Sequence, residues 1–416
     1  SMWKLVSREL ILETEPPGAT VLRRDYLSSE DQWKELGITP LEVERFPLGL
    51  SRVRFELEGY LPRETADFSS RLAASEPFVL DTPESLPAGM TRITGGSTSL
   101  MVPGLEQLEA LALEDFMMDI NEVTNREYKE FVDAGGYRDP ACWQHPFVRD
   151  GQELNFETAI SSFVDQTGRP GPSGWDVGSY PPGEDDFPVG GVSWYEAAAY
   201  ACFVEKSLPT VYHWYLAADP FSSNHLVPLS NYDGQGPAPV GQYAGITRDG
   251  VSDMAGNVRE WVQNPDGEAH YILGGSWGDP RYSFNDAISS PSFDRSPENG
   301  IRLVVYPDMT NVDTAGGPIE KASRDYYSET PVSDELFDVY RQMYAYDPTP
   351  LNATLVSTET TSTYIRERIE MDAAYGGERL TVFVFRPLGN QSATPLQAVT
   401  FFPGSNDIYK RSYDEL

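Results

Sequence analysis

The sequence predicts an α+β fold, loop-rich at its centre and flanked by β-structure on both sides. Three observations carry this. Two capping-box helix starts, Thr124-Asn125-Arg126-Glu127 and Ser193-Trp194-Tyr195-Glu196, stand in a central stretch otherwise dense in glycine, proline and tryptophan. Near the N-terminus, Arg52-Val53-Arg54-Phe55-Glu56-Leu57-Glu58 alternates with the period of a half-buried strand. Near the C-terminus, residues 353–358, 364–371 and 380–385 read as strands, the last two joined at a Gly376-Gly377 turn.

A chain of 416 residues exceeds what one compact core usually holds, and 40% hydrophobic residues suffice for several cores. With 31 basic against 64 acidic residues the net charge is −33, which repels nucleic acid and anionic membrane, so neither is an expected partner. No run reaches the roughly 18 apolar residues of a membrane span, so direct membrane insertion within this chain is not expected. The Ser1-Met2 start reads as a cloning scar, and the chain is expected to be a piece of a longer protein. Two cysteines, Cys142 and Cys202, cannot make a thiolate zinc site. One bridge between them or two buried free thiols are both open, the second being the simpler reading.

In chain order, residues 9–14 form a strand-like run stopped by Pro16-Pro17-Gly18, and the alternating run at 52–58 closes the module. Glu15-Pro16-Pro17-Gly18-Ala19-Thr20-Val21, Gly37-Ile38-Thr39-Pro40-Leu41 and Glu58-Gly59-Tyr60 together resemble a PEGA domain, a small β-module of bacterial surface and signalling proteins with no known chemistry. Residues 63–89 are polar and proline-containing, as in a linker with one short helical patch. The helix after Thr124 should stop at Gly135-Gly136, and a third helix should start at Thr210.

Asn121-Glu122-Val123-Thr124-Asn125, Phe187-Pro188-Val189-Gly190-Gly191-Val192-Ser193-Trp194, Leu208-Pro209-Thr210, Asp253-Met254-Ala255-Gly256-Asn257-Val258-Arg259-Glu260-Trp261, Gly274-Gly275-Ser276-Trp277 and Gly300-Ile301-Arg302 follow the order of the formylglycine-generating enzyme family, also called sulfatase-modifying factors. The resemblance implies a variant of the C-type lectin fold for residues 90–308. The family's oxidase uses two copper-binding cysteines just after the Gly-Gly-Ser-aromatic motif. Here those positions carry Asp279 and Phe284, and no cysteine follows Cys202. A carboxylate suits soft copper(I) poorly and phenylalanine offers no ligand atom, so neither copper nor oxidase chemistry is expected. Relatives that make sulfur–carbon bonds hold iron with histidines. His145, His213, His225 and His270 are widely spaced with no HxxxH pair, and read as packing residues.

Calcium is the ion the resemblance allows, as a structural cofactor. Asn257 and Glu260 match the family's side-chain ligands, with the Ala255 and Val258 carbonyls available, against a reading as turn and salt-bridge residues. Gly274-Gly275-Ser276-Trp277-Gly278 matches G-x-S-x-G, but Asp279-Pro280-Arg281-Tyr282 is a poor helix start, so Ser276 is not expected to be a nucleophile. The segment after it offers Trp277, Asp279, Arg281, Tyr282, Phe284, Asn285, Asp286, Arg295 and Glu298 for recognition of a peptide, glycan or small ligand, some of which are expected to fill the core instead.

Ser333 is a good N-cap for an amphipathic helix bearing Leu336, Val339, Tyr340 and Met343. Gln397-Ala398-Val399-Thr400-Phe401-Phe402 followed by Pro403-Gly404-Ser405-Asn406 resembles the opening of an α/β-hydrolase domain, without a catalytic histidine beyond His270. The expected organisation is a PEGA-like module at 1–62, a linker at 63–89, the central domain at 90–308, a linker at 309–332 and an incomplete hydrolase-like segment at 333–416. This order resembles bacterial serine/threonine kinase fusions. It implies a non-catalytic sensory region, extracytoplasmic or secreted, with the cytoplasm as the alternative. The competing class is an enzyme: a cysteine-independent modifying enzyme of the family, or a fragment of a serine hydrolase.

Overall fold

The computed structural model describes residues 6–28, 33–322, 325–346, 348–374, 376–388 and 398–400. It divides into two units, Ser1–Arg324 and Asp325–Leu416.

The first unit begins with a β-module. Ser7–Leu12 pairs antiparallel with Leu41–Pro47, and a four-stranded sheet runs in the order Lys34–Ile38, Thr20–Asp25, Leu50–Glu56, Arg63–Phe68. The expected linker at 63–89 is corrected here. Arg63–Phe68 is the sheet's outer strand, Phe78–Val79 pairs with Thr14–Glu15, and Leu72, Phe78 and Leu80 belong to the module's core beside Val53 and Phe55. The module needs these apolar residues to close its core, so it extends to about residue 80.

The module is docked onto the central domain by polar contacts. The Tyr26 hydroxyl donates to the Ile246 carbonyl and accepts from the Ile246 amide at 2.8 and 3.1 Å. Arg63 pairs with Asp249, Arg71 with Asp219, and Arg248 with Asp67.

In the central domain both capping boxes form as expected, at the starts of Asn125–Asp133 and Trp194–Phe203. The first helix ends before Gly135, which takes a left-handed φ of +84°. Thr210 caps Val211–Ala218 by accepting from the His213 amide, and burial pushes the His213 imidazole down to about 4, leaving a neutral packing residue. The central sheet has the order Ile288–Pro291, Ala269–Leu273, Arg259–Asp266, Asn299–Gly300. It is buried on both faces. Trp261, Ile272 and Ile301 enter one core cluster, while the alternate residues Val262, Tyr271 and Leu273 enter another.

Two further expectations are corrected. The linker at 309–332 is not one at its start: Val312, Ala315 and Ile319 are buried, and Asn264 donates to the carbonyls of Ala315 and Gly317 at 2.7 and 2.8 Å. Nor are the cysteines free thiols. Cys142 and Cys202 form a disulfide, brought together by a 60-residue detour that leaves no local trace in sequence.

In the second unit, Ser333 caps Asp334–Gln342, and Thr354–Thr360, Tyr364–Asp372 and Arg379–Pro387 form an antiparallel sheet around a Gly376-Gly377 turn. Among the described residues of this unit, Ala373 alone is buried. Apart from 398–400, the apolar run 397–402 and the loop 403–406 lie outside the described residues. No described helix is long and apolar enough to cross a membrane.

One side chain ties the central domain together. Arg302 is fully buried, pairs with Glu260 at 2.8 Å, and donates to the carbonyls of Asp119, Ile120 and Ser252 at 2.8–2.9 Å. The second Glu260 oxygen accepts from the Trp214 indole at 2.6 Å. Removing one partner strands a buried charge, so Arg302→Met is expected to cost about 3–5 kcal/mol, read from urea unfolding; an undiminished midpoint would refute the assignment. The seam gives a pH test. Burial pushes the Asp67 carboxyl up to about 6, against the pull of Arg71, Arg248 and the Phe68 amide and with Asp219 adding to the rise. A raised carboxyl means that the folded state binds the proton more tightly, so its contribution is full below about 3.8 and lost as pH rises through 6. Between these values the wild type should lose urea resistance relative to Asp67→Asn.

Candidate functional site

Strand geometry creates the site. Successive side chains of Arg259–Asp266 point to opposite faces, so Glu260 turns inward to Arg302 and Arg259 turns outward. Parallel pairing sets Arg259 beside Asn299 and Glu260 beside Gly300. Between the strands Ala269–Leu273 and Ile288–Pro291, the chain makes an excursion across the end of the sheet. It bends at Gly274 and Gly275, both left-handed. A Cβ on Gly274 would lie 3.2 Å from the Trp214 ring, and one on Gly275 3.1 Å from the Tyr232 ring. Tighter still, a Cβ on Gly274 would meet the Met254 carbonyl oxygen at 2.9 Å and one on Gly275 the Ser283 Cβ at 3.0 Å, so atoms outside Trp277 demand these glycines.

The outward Arg259 meets Asp279 in a two-pronged pair at 2.7 Å. Asp279 also accepts from the Ser276 amide and hydroxyl at 2.9 Å. Partial burial pushes the Asp279 carboxyl up, but the Arg259 and Ser276 bonds outweigh it and hold the group below its ordinary value. Ser276 is fully buried and committed to Asp279, which is no arrangement for a nucleophile.

The other expected recognition residues separate by burial. Phe284 is 0% exposed in the core, and its place among the ligand contacts is corrected. Arg295 is likewise corrected: it pairs with the buried Glu196 and donates to the carbonyls of Ser162, Val164 and Gly171. Asp286 is held by Lys321 at 3.1 Å. On the surface stand Tyr282, 72% exposed, with Arg281 and Asn285, beside the half-buried Trp277 and Glu298 and the Arg259–Asp279 pair. Residues remote in sequence border this face. The Gly234 amide donates to the Trp277 carbonyl, and Tyr243 donates to the neighbouring Asp233. Sequence reasoning restricted to the segment after Trp277 missed them, because only these long-range bonds bring the loops together.

The side chains expected to hold calcium do not fit that ion as arranged. Both Glu260 oxygens are taken by Arg302 and Trp214. Asn257 Oδ1 accepts from the Asn231 side chain and the Ala238 amide, while its Nδ2 donates to Glu122. Asn231 Oδ1 is buried without a hydrogen-bond partner, one oxygen where calcium takes about six to eight. Among the described residues, no group of three or more His, Cys, Asp or Glu is placed to hold a metal. Of the histidines, His270 stacks on Trp194 at 3.6 Å and His145 meets the same ring edge-on at 4.7 Å.

The ion pair yields a direct check. In Arg259→Met the burial effect on Asp279 loses its main opponent, so the Asp279 carboxyl should titrate at higher pH than in the wild type. Carbon-detected NMR titration measures this; an unmoved titration would mean that Arg259 does not set the charge of Asp279.

Comparison with known proteins agrees with this architecture. The family described as "Sulfatase-modifying factor enzyme 1-like domain" matches residues 79–307, more than half of the chain. The hercynine oxygenase of Mycolicibacterium smegmatis is 31% identical over 222 residues, 45% of this chain and 50% of that protein. The formylglycine-generating enzyme of Bos taurus is 28% identical over 210 residues, 46% of this chain and 55% of that protein. The serine/threonine-protein kinase Pkn1 of Chlamydia trachomatis serovar L2 is 28% identical over 166 residues, 37% of this chain and 24% of that protein. The chain thus spans about half or less of each of these relatives. Through its central domain the chain belongs to the sulfatase-modifying factor family.

Proposed function

We propose that this chain is the ligand-recognition region of a multidomain bacterial signalling protein, whose central domain binds a peptide, glycan or small ligand and does not perform the family's oxidase reaction. The observation that carries the reading is the fate of the two reactive positions. Asp279 is locked to Arg259 and Ser276, Phe284 is sealed in the core, and both cysteines of the chain are consumed in one disulfide. What remains is a surface of aromatic and charged side chains around Trp277 and Tyr282 on a C-type-lectin-like scaffold. Rings supply contact area and polar tips orientation, as binding faces require.

The match to a kinase that is mostly other sequence supports a multidomain signalling context. The PEGA-like module and hydrolase-like C-terminal segment are consistent with that context. The disulfide supports an extracytoplasmic or secreted location, since such bonds persist in oxidising compartments.

Incubation with copper(I), oxygen and a cysteine peptide of sulfatase type, followed by mass spectrometry, should yield no formylglycine. On glycan and peptide arrays the wild type should give hits that weaken about tenfold or more in Trp277→Ala and Tyr282→Ala. Turnover in the first assay, or hits indifferent to both substitutions, would defeat the proposal.

A further inference from the structure

A cleft of about 430 Å³ opens where the N-terminal module gives way to the central domain. Its apolar walls come from both sides: Leu61 and Val79 from the module, and Leu86, Met90 and Ile120 from the chain that follows it. Backbone bonds fix the walls. The Leu61 amide donates to the Asp81 carbonyl at 2.8 Å, and the Ile120 amide to the Gly89 carbonyl at 2.9 Å. Leu86 and Met90 pack with Met117 in a small core of their own, against which Leu61 also rests. A preformed, mostly apolar hollow of this size at a junction between modules is a usual place for a small ligand.

The polar groups of the cleft set the ligand's chemistry. The charged residues of its lining are Arg63, Arg92 and Asp81, two cations to one anion in a chain whose net charge is −33. Both Asp81 oxygens are taken by Arg92, at 2.6 and 3.1 Å, and the Thr91 hydroxyl donates to the Asp249 carbonyl at 3.1 Å. Donors are left over. Arg63 spends its terminal nitrogens on the Val79 carbonyl, Thr94 and Asp249, and its Nε–H has no acceptor among the described residues. Arg92 Nη1 reaches only Asp115, at 3.5 Å. Guanidinium N–H groups with spare capacity pair best with a carboxylate.

We propose that this cleft is a second ligand site, which takes a small amphipathic carboxylate. Its hydrocarbon body lies against Leu61, Val79, Leu86, Met90 and Ile120, and its head accepts from Arg63 and Arg92. Arg63 also pairs with Asp249 across the seam, so a bound carboxylate braces the module against the central domain. None of these residues belongs to the face around Trp277 and Tyr282, and the site does not rest on what that face binds.

Titration calorimetry of the full chain with octanoate tests this. One equivalent should bind, about tenfold or more tightly than 1-octanol, which keeps the alkyl chain and loses the charge. Hydrogen exchange with octanoate present should slow in peptides covering 61–63 and 86–92. Ala88→Trp fills the cleft from an exposed position and should weaken octanoate about tenfold or more, as should Val79→Trp on the opposite side, whereas Trp277→Ala should not. No binding, equal binding of the alcohol, protection confined to other segments, or an affinity indifferent to both tryptophans would each overturn the site. Loss of octanoate binding in Trp277→Ala would overturn it as well. The array assays on the Trp277 face use other ligands, so either proposal can fail without the other.

Discussion

The central domain depends on a buried charge that cannot be left unpaired. Arg302 has no solvent to turn to, so every donor must find an oxygen inside the protein. It takes one carboxylate from the central strand and carbonyls from two other segments. The constraint propagates outward. Glu260 must face inward, which by strand alternation sends Arg259 outward. Gly300, two residues before Arg302, has no room for a side chain, since a Cβ there would fall 2.5 Å from Val258. The stretch 253–261 and Gly300-Ile301-Arg302 thus meet the segment just before Asn121 at one guanidinium.

A second arginine repeats the logic at the periphery. Glu196 caps its own helix by accepting from the Ser193 amide, receives the Tyr137 hydroxyl, and pairs with Arg295. One carboxylate therefore starts a helix, satisfies a buried phenol and holds a loop-rich lobe. A residue chosen for capping alone needs no burial; the 0% exposure of Glu196 reflects its two further duties.

What could be read in the sequence was what is decided within a few residues. The capping boxes at Thr124 and Ser193 are satisfied within four residues, and the Gly376-Gly377 turn by its own φ angles. Long-range pairing was not legible. Arg63-Glu64-Thr65-Ala66-Asp67-Phe68 has no apolar alternation and is a strand only because Leu50–Glu56 offers it an edge. Phe284 and Tyr282 read alike as aromatics near a motif, yet one fills a core and the other meets solvent, a difference set by distant packing. Arg295 looked like a binding cation because its partner Glu196 lies almost a hundred positions earlier.

The Arg259–Asp279 pair bears on the chain's history. At position 279 the family pattern has a copper-binding cysteine, and here it carries a carboxylate answered by the Arg259 guanidinium. Restoring the cysteine alone would leave the half-buried Arg259 without its carboxylate. Replacing Arg259 alone would leave Asp279 without its cation, and position 284 would still hold a core phenylalanine. Each single change passes through a less stable protein. Positions 259 and 279 are therefore coupled, so that a substitution at either one is constrained by what stands at the other.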